Sequence, residues 1–262
     1  MGAIRKLKRI LEQNIRDISK DVSAFVREPG RDFTRTRKLG FEDVMRFIIS
    51  MGGQSINKEL YAYSIANDRT EDIPSASAFT QQRQKILPEA FYEVFRAFNR
   101  CTQHMDRKMN EWHGCRVLAV DGTDVNLPYN ETSKTFVVNK GKKGFNQAHV
   151  TALYDITNRV YLDAIIEPKT KYNESRSSGI MAVRTLSGGK NILMGDRGTI
   201  SLNLIKTMMN NKLSFLFRVK SDWIKEIAAM PFQTIDTHVV LHIATSAPMY
   251  RKLIIPGDQP MR

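Results

Sequence analysis

The spacing of apolar residues changes near Trp112, and the two patterns demand different kinds of structure. Upstream, Ile4, Leu7, Leu11, Ile15, Ile18, Val22 and Phe25 recur every three or four residues, as on an amphipathic helix, with Arg5, Lys6, Lys8, Arg9 and Arg16 outside the stripe. Pro29 and Gly30 in "REPGRDF" break it. Further helices are predicted over "FEDVMRFIIS", from Ser55 to about Asn67, over "SAFTQQRQKIL" and over "PEAFYEVFRAFNRCTQHMDRKM", where Pro88 suits a first turn. Downstream, "CRVLAVDGTDVNLP", two segments of "AHVTALYDITNRVYLDAIIEP", "NILMGD" and "LSFLFRVKSD" read as strands. Helices are predicted over "NESRSSGIMAVRTLSGG" and "TISLNLIKTMMNNK". The order β-β-β-α-β-α-β predicts an α/β fold: a mixed sheet with crossover helices over 113–222, preceded by a helical region over 1–112. Residues 223–262 contain the strand-like "THVVLHIA" and "YRKLIIP".

Charge narrows the choice of partner. Lys and Arg number 40 against 27 Asp and Glu, a net charge of +13, in a chain of 262 residues. Such a balance favours a polyanion, nucleic acid before an anionic membrane face. No apolar run reaches membrane-spanning length, and the charged N-terminus lacks a signal-peptide core, so cytoplasmic sequence is expected, nucleoid-associated where the partner is DNA. The two cysteines, Cys101 and Cys115, suit a reducing compartment and argue against a disulfide scaffold. Together with His104 and His113 they have poor spacing for a zinc site. Neither a glycine-rich nucleotide loop nor a paired-cysteine redox motif is present.

Two apolar strands end on an acid: "RVLAVDGTDV" at Asp121 and "NILMGDRGTI" at Asp196. Strand-end carboxylates beside small residues can converge on a hard cation, which takes oxygen ligands. The alternative is that each starts a turn or caps the next helix. Asp124 is a rival to Asp121, although three residues along a strand place it on the other face unless Gly122 breaks the strand.

"VLAVDGTDVNLP", "GFNQAHVTALYDITNRVYLDAIIEP", "NESRSSGIMAV", "NILMGDRG" and "FLFRVKSD" resemble, in that order, the catalytic core of DDE transposases of bacterial insertion sequences. The branch is the IS-four group, whose core is ribonuclease-H-like and carries a β-rich insertion before its last catalytic segment. The resemblance implies metal-dependent DNA strand cleavage and joining, with Asp121 and Asp196 as catalytic, Mg²⁺- or Mn²⁺-binding acids. It implies double-stranded DNA, as transposon ends and target, for a partner, and a homo-oligomer on that DNA. Residues 223–262 would begin the insertion. The family's third acid lies in a Tyr-x2-Arg-x3-Glu-x6-Lys pattern that this sequence does not contain. Glu226 is the only glutamate after Asp196; it stands either as that acid or as a solvated residue beside Lys225. The expectation is a chain truncated before the catalytic glutamate. A catalytically inactive fragment that binds transposon ends or inhibits the full-length enzyme is the alternative function.

Several basic residues are candidates for DNA contact. "SAFTQQRQKI" resembles a helix-turn-helix reader with Gln81, Gln82, Arg83 and Lys85 exposed, or else is an ordinary bundle helix. In "VNKGKKGFNQ", Lys140, Lys142 and Lys143 sit on a loop beside Phe145, placed to grip a phosphate backbone or to stand in solvent. Arg197 either positions a phosphate or neutralises Asp196.

Overall fold

The computed structural model describes residues 3–35, 38–69, 71, 73–103, 109–186, 190–223 and 225–230. The chain divides into two compact units, Met1–Arg107 and Lys108–Arg262.

The first unit is helical: α1 (Ala3–Ile18), a 3-10 segment (Ser19–Phe25), α2 (Phe41–Ser50), α3 (Ile56–Ala66), α4 (Ala76–Arg83) and α5 (Glu89–Gln103). The predicted first helix is shorter than its apolar stripe. The backbone leaves helical geometry at Asp21 (φ −119°, ψ 68°), and Val26 then bridges to Ile86 in extended pairing. Leu87 N–H donates to Phe25 O and Arg27 N–H to Lys85 O, so tertiary pairing takes over where the α-helix stops. Phe47 is buried in the core, edge-on to Phe79 (4.6 Å between centroids) and Tyr63 (5.3 Å). Ser75 caps α4 by accepting the Ala78 N–H at 3.1 Å.

The second unit is built on one six-stranded sheet: β1 (Arg116–Leu127), β2 (Phe136–Val137), β3 (Phe145–Asp155), β4 (Val160–Pro168), β5 (Asn191–Gly195) and β6 (Ser214–Phe217). Helices α6 (Glu174–Thr185) and α7 (Leu202–Asn210) make the crossovers into β5 and β6, and a short α8 (Lys225–Ala228) follows. The sheet order is β2-β3-β1-β5-β6, with β4 also on β3; β1, β3 and β4 are antiparallel, whereas β5 and β6 run parallel to β1. This is the predicted mixed sheet with crossover helices.

Leu118, Val120, Leu153 and Leu193 pack with Met181 and Ala182 of α6 and Leu204 and Met208 of α7 in one buried cluster. Burying a leucine fully contributes about 1.5–3 kcal/mol, and a one-residue slip would send every such side chain to the other face. The register Leu118↔Leu193, Val120↔Gly195 is thereby fixed.

β1 does not end at Asp121 as expected. It continues to Leu127 because β3 pairs with it from Leu118↔Asp155 to Leu127↔Asn146. What ends there is the parallel pairing with β5, at Val120↔Gly195. The predicted strand "LSFLFRVKSD" is also shorter, reaching only Phe217. The strand-like segments of 231–262, and with them most of the expected insertion, lie outside the described residues, as does His104.

Candidate active site

Asp121 and Asp196 each follow the last register pair of two neighbouring parallel strands, Val120↔Gly195. Adjacent strands are spaced by about 4.8 Å, so the sheet delivers the two acids side by side. Both are exposed. Asp121 Oδ1 accepts the Gly122 N–H at 2.8 Å.

Asp196 opens a tight turn. Its Oδ1 accepts the N–H of Gly198 (2.7 Å), the N–H of Thr199 (3.1 Å) and the Thr199 hydroxyl (3.3 Å). The Gly198 N–H is the main reason its carboxyl is held below the ordinary range; partial burial opposes the shift, and the Thr199 donors and Arg197 add to it. Helix α7 is capped by Ser201, whose Oγ accepts the Leu204 N–H at 3.1 Å, so Asp196 is not its cap. Asp196 Oδ2 has no partner among the described residues.

The glycines around these acids serve different purposes. A side chain at Gly195 would strike the Phe217 ring (2.8 Å), so that space is filled by an aromatic packed on the core. At Gly198, a Cβ would stand 3.2 Å from Asp196 Oδ1 and 3.8 Å from Glu174 Oε2. At Gly122 it would fall 2.3 Å from Glu174 Oε1 and 2.4 Å from His149 Nε2. Glu174, the first residue of α6, thus reaches the space beside both glycines that follow the acids.

A polar chain lies behind Glu174. His149 is 4% exposed; its Nδ1 is 2.7 Å from Asp124 Oδ1, its register partner's carboxylate. Its Nε2 is 2.9 Å from Glu174 Oε1, close enough for an ion pair but not aligned for a hydrogen bond, which leaves a buried nitrogen without one. Lys169 Nζ pairs with Asp124 Oδ2 at 2.6 Å and covers the Tyr172 ring, which packs against His149 with centroids 4.0 Å apart. Lys169, and after it His149, lower the Asp124 carboxyl's pKa, and Asp124 in turn raises that of Lys169. Asp124 is therefore engaged on the α6 side of the sheet, whereas Asp121, three residues earlier on an unbroken strand, projects to the other side. Glu174, His149 and Lys169 were not singled out from sequence. Asn173 Oδ1 accepts the Arg176 N–H at 2.9 Å and caps the helix that Glu174 begins.

Among the described residues, no three His, Cys, Asp or Glu side chains gather closely enough to hold a metal ion. Asp121 and Asp196 nonetheless have the chemistry for a hard divalent cation: exposed carboxylates on neighbouring strands, one oxygen of Asp196 uncommitted, and no side chain at Gly198 to fill the gap.

The candidate DNA contacts fall in both units. Arg83 is exposed on α4, its guanidinium 5.6 Å from the Phe79 ring centroid. Gln82, expected beside it on the surface, is buried at 8% exposure, because α4 turns that side to the core. Lys85 lies after the helix, 3.8 Å from Asp32 and over the Phe33 ring. Lys140, Lys142 and Lys143 are exposed between β2 and β3, with Lys143 Nζ 4.6 Å from the Tyr129 ring centroid. Arg197 is exposed beside Asp196. Glu226 lies in the first turn of α8.

Residues 112–247, just over half of the chain, match the family described as the transposase DDE domain. The chain belongs to this family. No curated protein sequence matches it. Among solved structures, this DDE domain protein is similar to a piggyBac transposase synaptic complex with hairpin DNA, with 12% identity and a TM-score of 0.42, covering 87% of this chain and 52% of that one. It is also similar to a Mos1 transposase paired-end complex with left transposon end (10% identity, TM-score 0.27, 72% of this chain and 61% of that one). A third is a Drosophila P element transposase strand transfer complex (12% identity, TM-score 0.30, 80% and 47%). The chain spans between about half and three fifths of the length of these structures. Among the described residues, no helix is long and apolar enough to cross a membrane.

Proposed function

We propose that this DDE domain protein carries out DNA transposition by metal-dependent strand cleavage and joining, with Asp121 and Asp196 holding the divalent cation, Mg²⁺ or Mn²⁺. The observation that carries the reading is the register Val120↔Gly195, which sets the two acids side by side where the parallel pairing stops. When bound, such a cation activates an attacking oxygen and stabilises a leaving oxygen at a phosphodiester. The protein's own part is positional. The apolar bodies of β1 and β5 would hold the two carboxylates, and the turn donors on Asp196 Oδ1 leave Oδ2 without a partner among the described residues.

The DNA partner is proposed as double-stranded transposon ends and target, met by a homo-oligomer. Arg83, Lys85, Lys140, Lys142 and Lys143 would contact the phosphate backbone, which supplies affinity rather than sequence choice. Arg197, next to Asp196, would hold a phosphate near the acids. Support for a polyanionic partner comes from the net charge of +13.

The test is a strand cleavage and transfer assay on labelled transposon-end DNA with Mg²⁺ or Mn²⁺. Cleavage that is abolished in Asp121→Asn and Asp196→Asn supports the reading. End binding without any cleavage by the wild-type chain would overturn it.

A further inference from the structure

We infer that the arm formed by the end of β1, by β2 and by the start of β3 binds an unpaired nucleotide of DNA, with the Tyr129 ring stacking on the base and Lys143 meeting its phosphate. This site rests on the proposed DNA partner. It needs neither the cation nor the strand chemistry at Asp121 and Asp196.

The sheet register sets the arm on the face of Asp121. Side chains alternate along a strand, so Thr123, Val125 and Leu127 follow Asp121 on one face of β1. Leu127 pairs with Asn146 of β3, and Asn146 pairs on its other side with Phe136 of β2. The row thus leads from the acid to Phe136, against which Tyr129 packs edge-on with centroids 5.9 Å apart. At about 3.4 Å per residue, Leu127 lies about 20 Å from Asp121, the span of about six nucleotides along one strand of a duplex.

Polar contacts hold the arm in place. Asn146, 2% exposed, ties down the connection from β1 to β2. Its Oδ1 accepts the Asn130 N–H at 2.7 Å, and its Nδ2 donates to Asn130 O (2.9 Å) and Thr135 Oγ1 (3.1 Å). A side chain at Gly144 would strike the Phe136 ring, so this glycine lets the ring lie against the start of β3. The Tyr129 hydroxyl donates to Glu131 Oε1, which fixes the far end of its ring. A platform fixed in this way loses little freedom when a base settles on it.

The Tyr129 ring is nevertheless 50% exposed, and Val125 is 43% exposed on the same side of the sheet. Exposed apolar side chains in a row mark a binding surface. A paired duplex offers phosphates to such an arm and has no use for its ring. Lysines and aromatic rings together suit an unpaired strand, whose bases stack while its phosphates meet the ammonium groups. Between 125 and 147 the sequence has Lys134, Lys140, Lys142 and Lys143 against one acid, Glu131. All four lysines are exposed. The same charge disfavours a second copy of this arm as the occupant. Lys143 Nζ stands 4.6 Å from the Tyr129 ring centroid, so a cation already marks an open ring face. A base is a stronger partner for that face than an exposed ammonium, which then turns to the phosphate of the same nucleotide.

The experiment measures binding by the full chain in chelator, by fluorescence anisotropy. The probes are a labelled, fully paired duplex and the same duplex with a short unpaired run of thymidines in one strand. Y129A is expected to weaken binding of the interrupted duplex about tenfold and to leave the paired one nearly unchanged. Y129F, which keeps the ring and loses only the bond to Glu131, is expected to match wild type. Equal weakening on both probes, or on neither, overturns the inference, as does Y129F behaving like Y129A. K143A is expected to weaken the interrupted duplex with a shallower salt dependence; unchanged binding removes Lys143 from the site. A second measurement uses only the wild-type chain: 5-iododeoxyuridine in the unpaired run is photocrosslinked and the attached peptide is sequenced. Attachment at Tyr129 is expected, and attachment solely elsewhere overturns the inference. A dimer in sedimentation without DNA that Y129A dissolves would make the patch an interface between copies, which also overturns it. Lack of strand cleavage by the wild-type chain would sink the proposed activity and leave these binding results standing.

Discussion

At the scale of single residues, glycines decide where charge can gather. Gly122 lies between an exposed acid, Asp121, and a buried His149–Glu174 contact that occupies its missing side-chain position. Gly122→Ala must displace the buried ring or expel Glu174, and forced overpacking of this kind costs about 1–3 kcal/mol. Urea denaturation of Gly122→Ala is expected to show a drop in stability of that size; an unchanged midpoint would mean that both side chains move aside freely. Asp196 offers a contrast. Its Oδ1 is tied to Gly198 and Thr199, and asparagine retains an acceptor oxygen for those donors. Asp196→Asn is therefore expected to keep the turn but lower thermal stability slightly, because the donors that hold the carboxyl below its ordinary pKa lose a charged acceptor; a melting curve in chelator checks this. From the sequence, both aspartates stood out because an acid after an apolar run is conspicuous. Gln82 misled, because a polar residue on a predicted recognition helix looks exposed, whereas α4 turns it to the core.

At the scale of elements, the β3–β4 hairpin is pinned by one carboxylate. Asp155 is fully buried and accepts from Arg116 Nη2 (2.7 Å) and Nε (2.9 Å), the Thr157 hydroxyl (2.7 Å) and the Asn158 N–H (2.8 Å). Burial alone would raise its pKa; the Thr157, Arg116 and Asn158 donors outweigh it and hold the carboxyl below its ordinary value. A folded-state pKa below the unfolded one adds stability that is complete above about pH 4 and disappears as pH falls through the folded value. Asp155→Ala strands the Arg116 charge in a half-buried site and is expected to cost about 3–5 kcal/mol at neutral pH. The gap between wild type and variant should narrow as denaturation curves are taken from pH 7 toward pH 3; a gap that widens would contradict the assignment. The turn at Thr157–Arg159 was legible as a hairpin turn, but its anchoring by Arg116, the first residue of β1, was not, because that pairing spans 39 positions.

At the scale of the whole molecule, the net charge of +13 sets what can be measured on DNA. Each phosphate that a lysine or arginine neutralises changes the slope of log K against log salt by about 0.9. Replacing Lys140, Lys142 and Lys143 together by alanine is expected to flatten the slope by about that amount for each phosphate left unneutralised, equally for end and random sequences. Weakening confined to one sequence would point to base readout instead.

The sequence by itself determined the succession of elements and hence the fold: helical spacing before Trp112, apolar strands after it, and crossover helices between the last strands. These are local signals, set by side-chain periods of 3.6 and 2 along contiguous chain. It also determined that an acid follows each of the two apolar runs that lie in β1 and β5. Only the tertiary structure decided that β1 runs on past Asp121, because strand length is set by the partner, and β3 pairs with it to Leu127. Only the tertiary structure brought Glu174 and His149, 25 residues apart, to 2.9 Å beside Gly122. Neither residue carries a periodic or compositional mark, since a helix-starting glutamate and a buried strand histidine are each commonplace alone. Their meeting is a product of sheet register and helix placement, which long-range packing of the leucine core fixes and no short stretch of sequence encodes.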